Sequence, residues 1–237
     1  MLSPTGLADL LDLQAEDTDI DRLLHQRETL PELEKYRAAA AGLDKVERRL
    51  AAASEDLAET TRTLDKTSGE LEIAEIKLGQ EENRLFAGGM SARETEHMRD
   101  EVQMLRRNIG AMEDEVLALM EQRETQEQDV TAITAERDAA ASAKSELEAE
   151  ISKQWGMIDA DIAKHEARKA DIVPSIPEDL VELYEELRQG KERTAVGRLS
   201  EDGTCGVCHL KLSRAEVAEA TKADPPRCLH CRRILVP

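Results

Sequence analysis

Four cysteines hold the chemistry of this sequence. They stand as Cys205-Gly206-Val207-Cys208 and, 19 residues later, Cys228-Leu229-His230-Cys231. A Cys-x-x-Cys segment folds into a tight knuckle that turns two sulfurs toward one ion, and two such pairs at this separation point to zinc. Four thiolates meet the tetrahedral preference of Zn²⁺ at about 2.3 Å per bond. Protein then fills every coordination position and leaves none for an activating water. The expected cofactor is one structural Zn²⁺ held by Cys205, Cys208, Cys228 and Cys231. The tail buries too little apolar surface to fold alone, so the metal should supply much of its folding free energy. Substituting Cys208 should unfold the tail and leave most helicity intact.

Rival chemistries fit less well. Cys205 to Cys208 followed by His209 matches the c-type haem attachment pattern, which needs export and gives Cys228 and Cys231 no role. A redox Cys-x-x-Cys needs a βαβ setting, and none precedes it. His209 or His230 could replace a cysteine as ligand. With four thiols available, both histidines are expected in solvent.

Charge separates the tail from the rest. The chain carries −19 overall. From Arg198 onward seven basic residues face five acidic ones, a local +2, which leaves −21 for the preceding chain. Four thiolates with Zn²⁺ make the tail nearly neutral. Arg198, Arg227, Arg232 and Arg233 are the candidate contacts to DNA, RNA or an acidic partner. The plainer reading is that these cations only offset the thiolates. The module has no aromatic residue on which a base could stack. The strongly acidic remainder disfavours bulk attraction to nucleic acid or an anionic membrane.

The elements that must position this tail are helices. The chain is 40% hydrophobic and 35% charged, with 2% aromatics, a composition suited to long helices rather than a large globular core. Leucines stand at 43, 50, 57, 64, 71, 78 and 85, an unbroken step of seven. Taking these as a positions, the d positions hold mostly small residues from Val46 to Glu81, a seam suited to close packing of two helices. A second seam runs through Val102, Leu105, Ile109, Met112, Val116 and Leu119, then Val130, Ile133, Leu147, Ile151 and Ile158. Arg123, Gln126, Arg137 and Lys144 interrupt it, which weakens packing there.

Between the seams, Gly88 or Gly89 can take the left-handed cap of a helix, and Ser91 with Glu94 forms a capping box that starts the next. The arms, about 5–85 and 92–171, are nearly equal. Each would be roughly 120 Å if continuous. The expected fold is therefore an antiparallel hairpin; a parallel dimer of single rods is the alternative. Both a lone hairpin and an associated pair are compatible with the seams. Thr29 to Glu32, with Pro31 in a first turn, should kink or restart the first arm. Pro174 and Pro177 end the second, and Ser175 with Glu178 should cap a short helix over 177–189, stopped by Gly190. A short strand is expected within 195–199 and another over 234–236. Ser213 with Glu216 should cap a helix reaching about Thr221.

No phosphate loop, dinucleotide fingerprint or paired catalytic constellation occurs, so an enzyme is not expected. No apolar run approaches the roughly 20 residues needed to cross a bilayer. The segment from Met1 to Leu13 has no Lys or Arg and does not read as a secretory signal. Clustered cysteines in such a chain suit a reducing compartment, so a cytoplasmic setting is expected.

The tail, with Leu11-Asp12-Leu13-Gln14-Ala15-Glu16-Asp17, Leu30-Pro31-Glu32-Leu33 and Leu183-Tyr184-Glu185-Glu186-Leu187-Arg188, resembles the bacterial C4-type zinc-ribbon proteins with an N-terminal coiled-coil hairpin. The resemblance spans nearly the whole chain. One position departs from it: the family usually has Gly after the last knuckle cysteine, and Arg232 stands there. The resemblance implies a non-enzymatic factor. Its members are associated with partner-protein binding, including alternative sigma factor and flagellar regulation, and with RNA binding.

These readings predict an all-α protein: a coiled-coil hairpin over 1–173, a connector with a short helix over 174–197, and a C4 zinc ribbon over 198–237. The expected function is nucleic-acid-associated regulation through the ribbon. The alternative is a protein adaptor or chaperone whose acidic hairpin grips a partner protein.

Overall fold

The structure is a computed structural model that describes residues 4–237, the first two as backbone only. Five helices and two short strands follow in order: α1 (Pro4–Glu28), α2 (Pro31–Ala87), α3 (Ala92–Ile172), a 3-10 turn (Val173–Ser175), α4 (Glu178–Gly190), β1 (Val196–Arg198), α5 (Arg214–Ala220) and β2 (Ile234–Val236). Two compact units form. One comprises Lys35–Leu147, and the other Met1–Glu34 with Glu148–Pro237.

The Lys35–Leu147 unit is the antiparallel pair of α2 and α3. Every heptad a and d position from Leu43 to Leu85 is buried or half-buried, as the leucine spacing predicts. Thr60, Leu64 and Thr67 are the buried centre of the α2 seam. Thr60 Oγ1 accepts from Gln122 Nε2 at 3.3 Å, next to where polar residues interrupt α3, and Gln126 Oε1 has no hydrogen-bond partner among the described residues. Lys144, another interruption, sits over the Tyr36 ring at 5.6 Å, so its charge is met by an aromatic face. Flanking positions set the pairing through Arg49–Glu136 at 2.8 Å and Lys77–Glu101 at 3.6 Å.

The turn is built as its sequence demands. Gly88 and Gly89 have φ of 71° and 91°, a region that costs other residues steric energy. Ser91 N–H donates to Glu94 Oε2 at 2.8 Å, and Glu94 N–H returns to Ser91 Oγ at 3.4 Å. This capping box also holds the Glu94 carboxyl below its usual range.

The other unit packs α1 and α4 on the end of α3. Leu10 and Leu13 of α1 are completely buried with Leu180 and Tyr184 of α4. A second cluster joins Leu23 and Leu30 to Ile158 and Ile162. Trp155 supports it, donating from Nε1 to Arg27 O at 3.2 Å. Pro31 restarts the helix as predicted, and Thr29 donates through both N–H and Oγ1 to His25 O, closing α1.

The start of α4 differs from the expectation. Ser175 does not cap it: its Oγ lies 2.7 Å from Ile172 O and 2.8 Å from Asp9 Oδ2. The 3-10 turn keeps Ser175 in the end of the preceding helix, and the N-cap passes to Pro177, whose carbonyl accepts from Leu180 and Val181.

β1 and β2 run parallel, with Val196 opposite Ile234 and Arg198 opposite Val236. Among the described residues no helix is long and apolar enough to cross a membrane.

Candidate metal centre

Each knuckle begins from the same local hydrogen bonds. His209 N–H donates to Cys205 O and Arg232 N–H to Cys228 O, both at 2.9 Å. Cys205 N–H donates to Leu210 O and Cys228 N–H to Arg233 O, both at 3.0 Å. The two Cys-x-x-Cys segments thus close identical turns. In the first, Gly206 N–H reaches Arg198 O at 2.8 Å. A Cβ there would stand 2.8 Å from that carbonyl oxygen, so only glycine fits.

These turns bring all four thiols together. The Sγ atoms of Cys205, Cys208, Cys228 and Cys231 lie within 4.8 Å of one another. Across the knuckles, Cys205 to Cys231 is 4.0 Å and Cys208 to Cys228 is 3.8 Å. A tetrahedron with bonds of about 2.3 Å has edges of about 3.8 Å. The donor set therefore fits one Zn²⁺, and the cysteines are not bridged to each other. Burial pushes the thiols of Cys205, Cys208 and Cys228 up. At Cys231 burial acts the same way but is outweighed, chiefly by the Arg233 backbone N–H, and its thiol lies below the usual value. Metal binding must displace these protons, so zinc affinity falls on acidification.

His209 and His230 are exposed and take no place in the cysteine cluster. The ribbon closes around the sulfurs with Leu212, Ala220 and Leu235. The helix α5 is fixed by the predicted box: Ser213 N–H to Glu216 Oε2 at 2.7 Å, and Glu216 N–H to Ser213 Oγ at 3.3 Å.

β2 is the link between metal and helices. Leu235 is buried in the cysteine core, while Ile234 and Val236 are buried with Leu10, Leu13 and Tyr184. Alternation along one strand thus ties the two cores together. The tail thus shares buried residues with α1 and α4.

The four candidate arginines divide. Arg198 and Arg232 are exposed, and Arg227 is half-buried. Arg233 is turned inward: its Nε donates to Thr194 O at 2.7 Å and its Nη2 to Lys191 O at 2.8 Å. Two of its guanidinium nitrogens are thus engaged with carbonyls of the connector. Sequence reasoning also missed Gln14, which anchors the entry to β1. Its Oε1 accepts from Ala195 N at 2.7 Å and its Nε2 donates to Arg193 O at 3.3 Å. The available signal was its place beside Leu10 and Leu13 on the buried side of α1.

Arg232 has φ of 65° and His209 φ of 58°. Both follow the second cysteine of a knuckle, where the turn requires a left-handed residue. Glycine adopts this conformation without the cost of about 1–2 kcal/mol that other residues bear. Arg232→Gly is accordingly expected to stabilise the zinc-loaded protein by about 1 kcal/mol, read as a higher urea midpoint. An unchanged or lower midpoint would show that the arginine side chain contributes more than its backbone costs.

Comparison with known proteins agrees with this geometry. A C4-type zinc ribbon domain family matches residues 204–235, and the protein carries one structural Zn²⁺ at these cysteines. A Mycobacterium tuberculosis protein, Rv2229c, is 25% identical over 96% of this chain and 93% of its own. A Mycobacterium smegmatis structure is 25% identical with a TM-score of 0.81, covering 99% of this chain and 98% of that one. The structure of CT398 from Chlamydia trachomatis has a TM-score of 0.75 at 17% identity, covering 98% and 97%. The two matched families are described by a coiled coil and a zinc ribbon, and neither description names an enzymatic activity. The match to the coiled-coil family extends over residues 13–192, most of the chain, and so the protein belongs to the CT398-like coiled coil hairpin domain family.

Proposed function

We propose that this protein is a non-enzymatic, cytoplasmic regulatory factor that contacts nucleic acid through its ribbon. The carrying observation is Arg232. A long cation occupies a left-handed position that glycine fills more cheaply, and its side chain is exposed beside the metal. Arg198 and Arg227 lie on the same small module. Such cations contact phosphates without reading bases, which suits a ribbon with no aromatic residue.

The test is binding of labelled RNA and DNA across a salt series by zinc-loaded protein. Affinity should fall linearly with log salt, with a slope of roughly −0.7 to −0.9 per phosphate contact. The triple variant Arg198→Ala/Arg227→Ala/Arg232→Ala should flatten that slope by about 2. Arg232→Gly alone should weaken binding although it stabilises the fold. Absence of binding at about 50 mM salt, or an unchanged slope in the triple variant, defeats the reading.

A second reading, a protein adaptor gripping its partner through the coiled coil, is favoured by one observation. Ile73, Ile76 and Phe86 of the Lys35–Leu147 unit are 69%, 56% and 84% exposed.

A further inference from the structure

The outer face of α2 changes character along its length. With Leu43 to Leu85 at a, the c and f positions point away from α3. From Lys45 to Lys66 every one except Ala52 is charged. From Gly69 to Ala87 none is charged. Ile73 and Ile76 lie in this uncharged stripe, one turn apart, and Phe86 borders its end. Isolated exposed apolar residues are unremarkable on a protein surface. A continuous uncharged stripe of about five turns in a chain that is 35% charged is a different matter.

The rim of the stripe says what covers it. Residues Gly69 to Ala87 hold five acidic and two basic residues. Both cations are already engaged: Lys77 with Glu101 at 3.6 Å, and Arg84 with Glu81 at 3.0 Å. Glu72 and Glu75 flank Ile73 and Ile76 and have no ion pair among the described residues. Of the five acids, Glu70, Glu81 and Glu82 are paired with Lys66, Arg84 and Arg106, so the face is an apolar centre whose uncompensated edge charges are Glu72 and Glu75. A second copy would bring the same negative edge against itself, in a chain of net charge −19. An amphipathic helix with Leu or Ile at i, i+3, i+4 and i+7 and Lys or Arg beside them matches both features.

We propose that the outer face of α2 from Gly69 to Ala87 is a docking surface for a cationic amphipathic helix of a partner protein. The stripe is roughly 28 Å long, enough for about five turns of such a helix. Ile73 and Ile76 enter its apolar side, and Glu72 and Glu75 receive its cations. The proposal rests on the adaptor reading and is independent of the ribbon's contact with nucleic acid.

The probe is a synthetic peptide of about 18 residues, Leu and Lys in helical order. A Leu/Glu peptide of the same order and a scrambled Leu/Lys peptide accompany it. Zinc-loaded full chain is titrated with each by fluorescence anisotropy, and its mass is followed by sedimentation. The ordered lysine peptide should bind, and the other two at least tenfold more weakly. Ile73→Ser/Ile76→Ser should weaken it roughly tenfold with unchanged helical circular dichroism. Leu117→Ser, at another exposed apolar residue of the same unit, should leave it unchanged. Glu72→Gln/Glu75→Gln should weaken binding at low salt and have no effect at about 1 M, where the screening length is about 3 Å. If the serine variant binds as well as the parent, the surface is wrong while the adaptor reading stands. If no peptide binds, both fall. Self-association abolished by Ile73→Ser/Ile76→Ser also overturns the proposal, since the occupant is then a second copy.

Discussion

Cys228→Ser is expected to empty the zinc site, unfold the ribbon and loosen α1 and α4, while Lys35–Leu147 stays helical. The first effect follows from coordination. Four sulfurs within 4.8 Å of one another leave no spare donor, and a structural zinc supplies folding free energy that a small module cannot replace. The second follows from β2. Its three residues are all buried, with Leu235 on the cysteine side and Ile234 and Val236 against Leu10, Leu13 and Tyr184. Releasing that strand uncovers both sides. At about 1.5–3 kcal/mol for each large aliphatic side chain, the loss is on the order of 5 kcal/mol. The Lys35–Leu147 unit has its own seam and ion pairs, so its helicity should persist. Elemental analysis should find about one zinc per chain in the parent and none in the variant. Amide exchange should then quicken in α1, α4 and the ribbon and remain slow at Leu57 to Leu71. A metal-free variant with α1 fully protected would show that β2 does not bind the two cores together.

What the sequence discloses depends on how local each cause is. The leucine seam, the Gly88–Gly89 turn and the Ser91 and Ser213 boxes involve residues within one or two helical turns, and all appear in the structure. The cysteines span a longer interval, yet four thiolates around one ion leave little geometric choice. Ser175 shows the limit. It has the right spacing to Glu178, but Pro177 follows it and the preceding helix ends through a 3-10 turn, so its hydroxyl goes elsewhere. Arg233 shows another: a surface cation by sequence, it binds carbonyls 39 and 42 residues away. Gln14 and Asp17 find their partners more than 150 residues along the chain. Asp17 does continue the spacing of Leu10 and Leu13, which marks it as facing inward. Nothing in the sequence names what it meets there.

Asp17→Ala is the substitution outside the metal site with the largest expected cost. The Asp17 side chain is 3% exposed. Tyr184 OH donates to its Oδ2 at 2.7 Å and Lys169 Nζ to its Oδ1 at 2.9 Å. Arg188 Nε lies 3.7 Å from Oδ2 and anchors through Nη2 to Asp21 at 2.7 Å. Removing the carboxylate leaves two cations and a buried hydroxyl facing a void. Breaking a fully buried pair costs about 3–5 kcal/mol. Lys169 and Arg188 keep 29% and 18% of their side-chain exposure, so water offsets part of the loss and about 3 kcal/mol is expected. Tyr184→Phe removes one hydrogen bond to a charged group and should cost about 1–2 kcal/mol. The network also sets an alkaline limit. Burial, then the hydrogen bond and charge of Asp17, push Tyr184 well above its ordinary 10.0. Burial lowers Lys169, but Asp17 and Glu185 outweigh it and hold it above 10.5. Both groups keep their protons longer in the folded chain than in the unfolded one. Their stabilisation is therefore complete below about pH 10 and is lost as pH rises past it. Urea midpoints should be level from about pH 7 to 9 and fall above about pH 10. The fall should be shallower in Tyr184→Phe, whose residue 184 no longer titrates. An equally steep fall in that variant would place the alkaline limit outside this network.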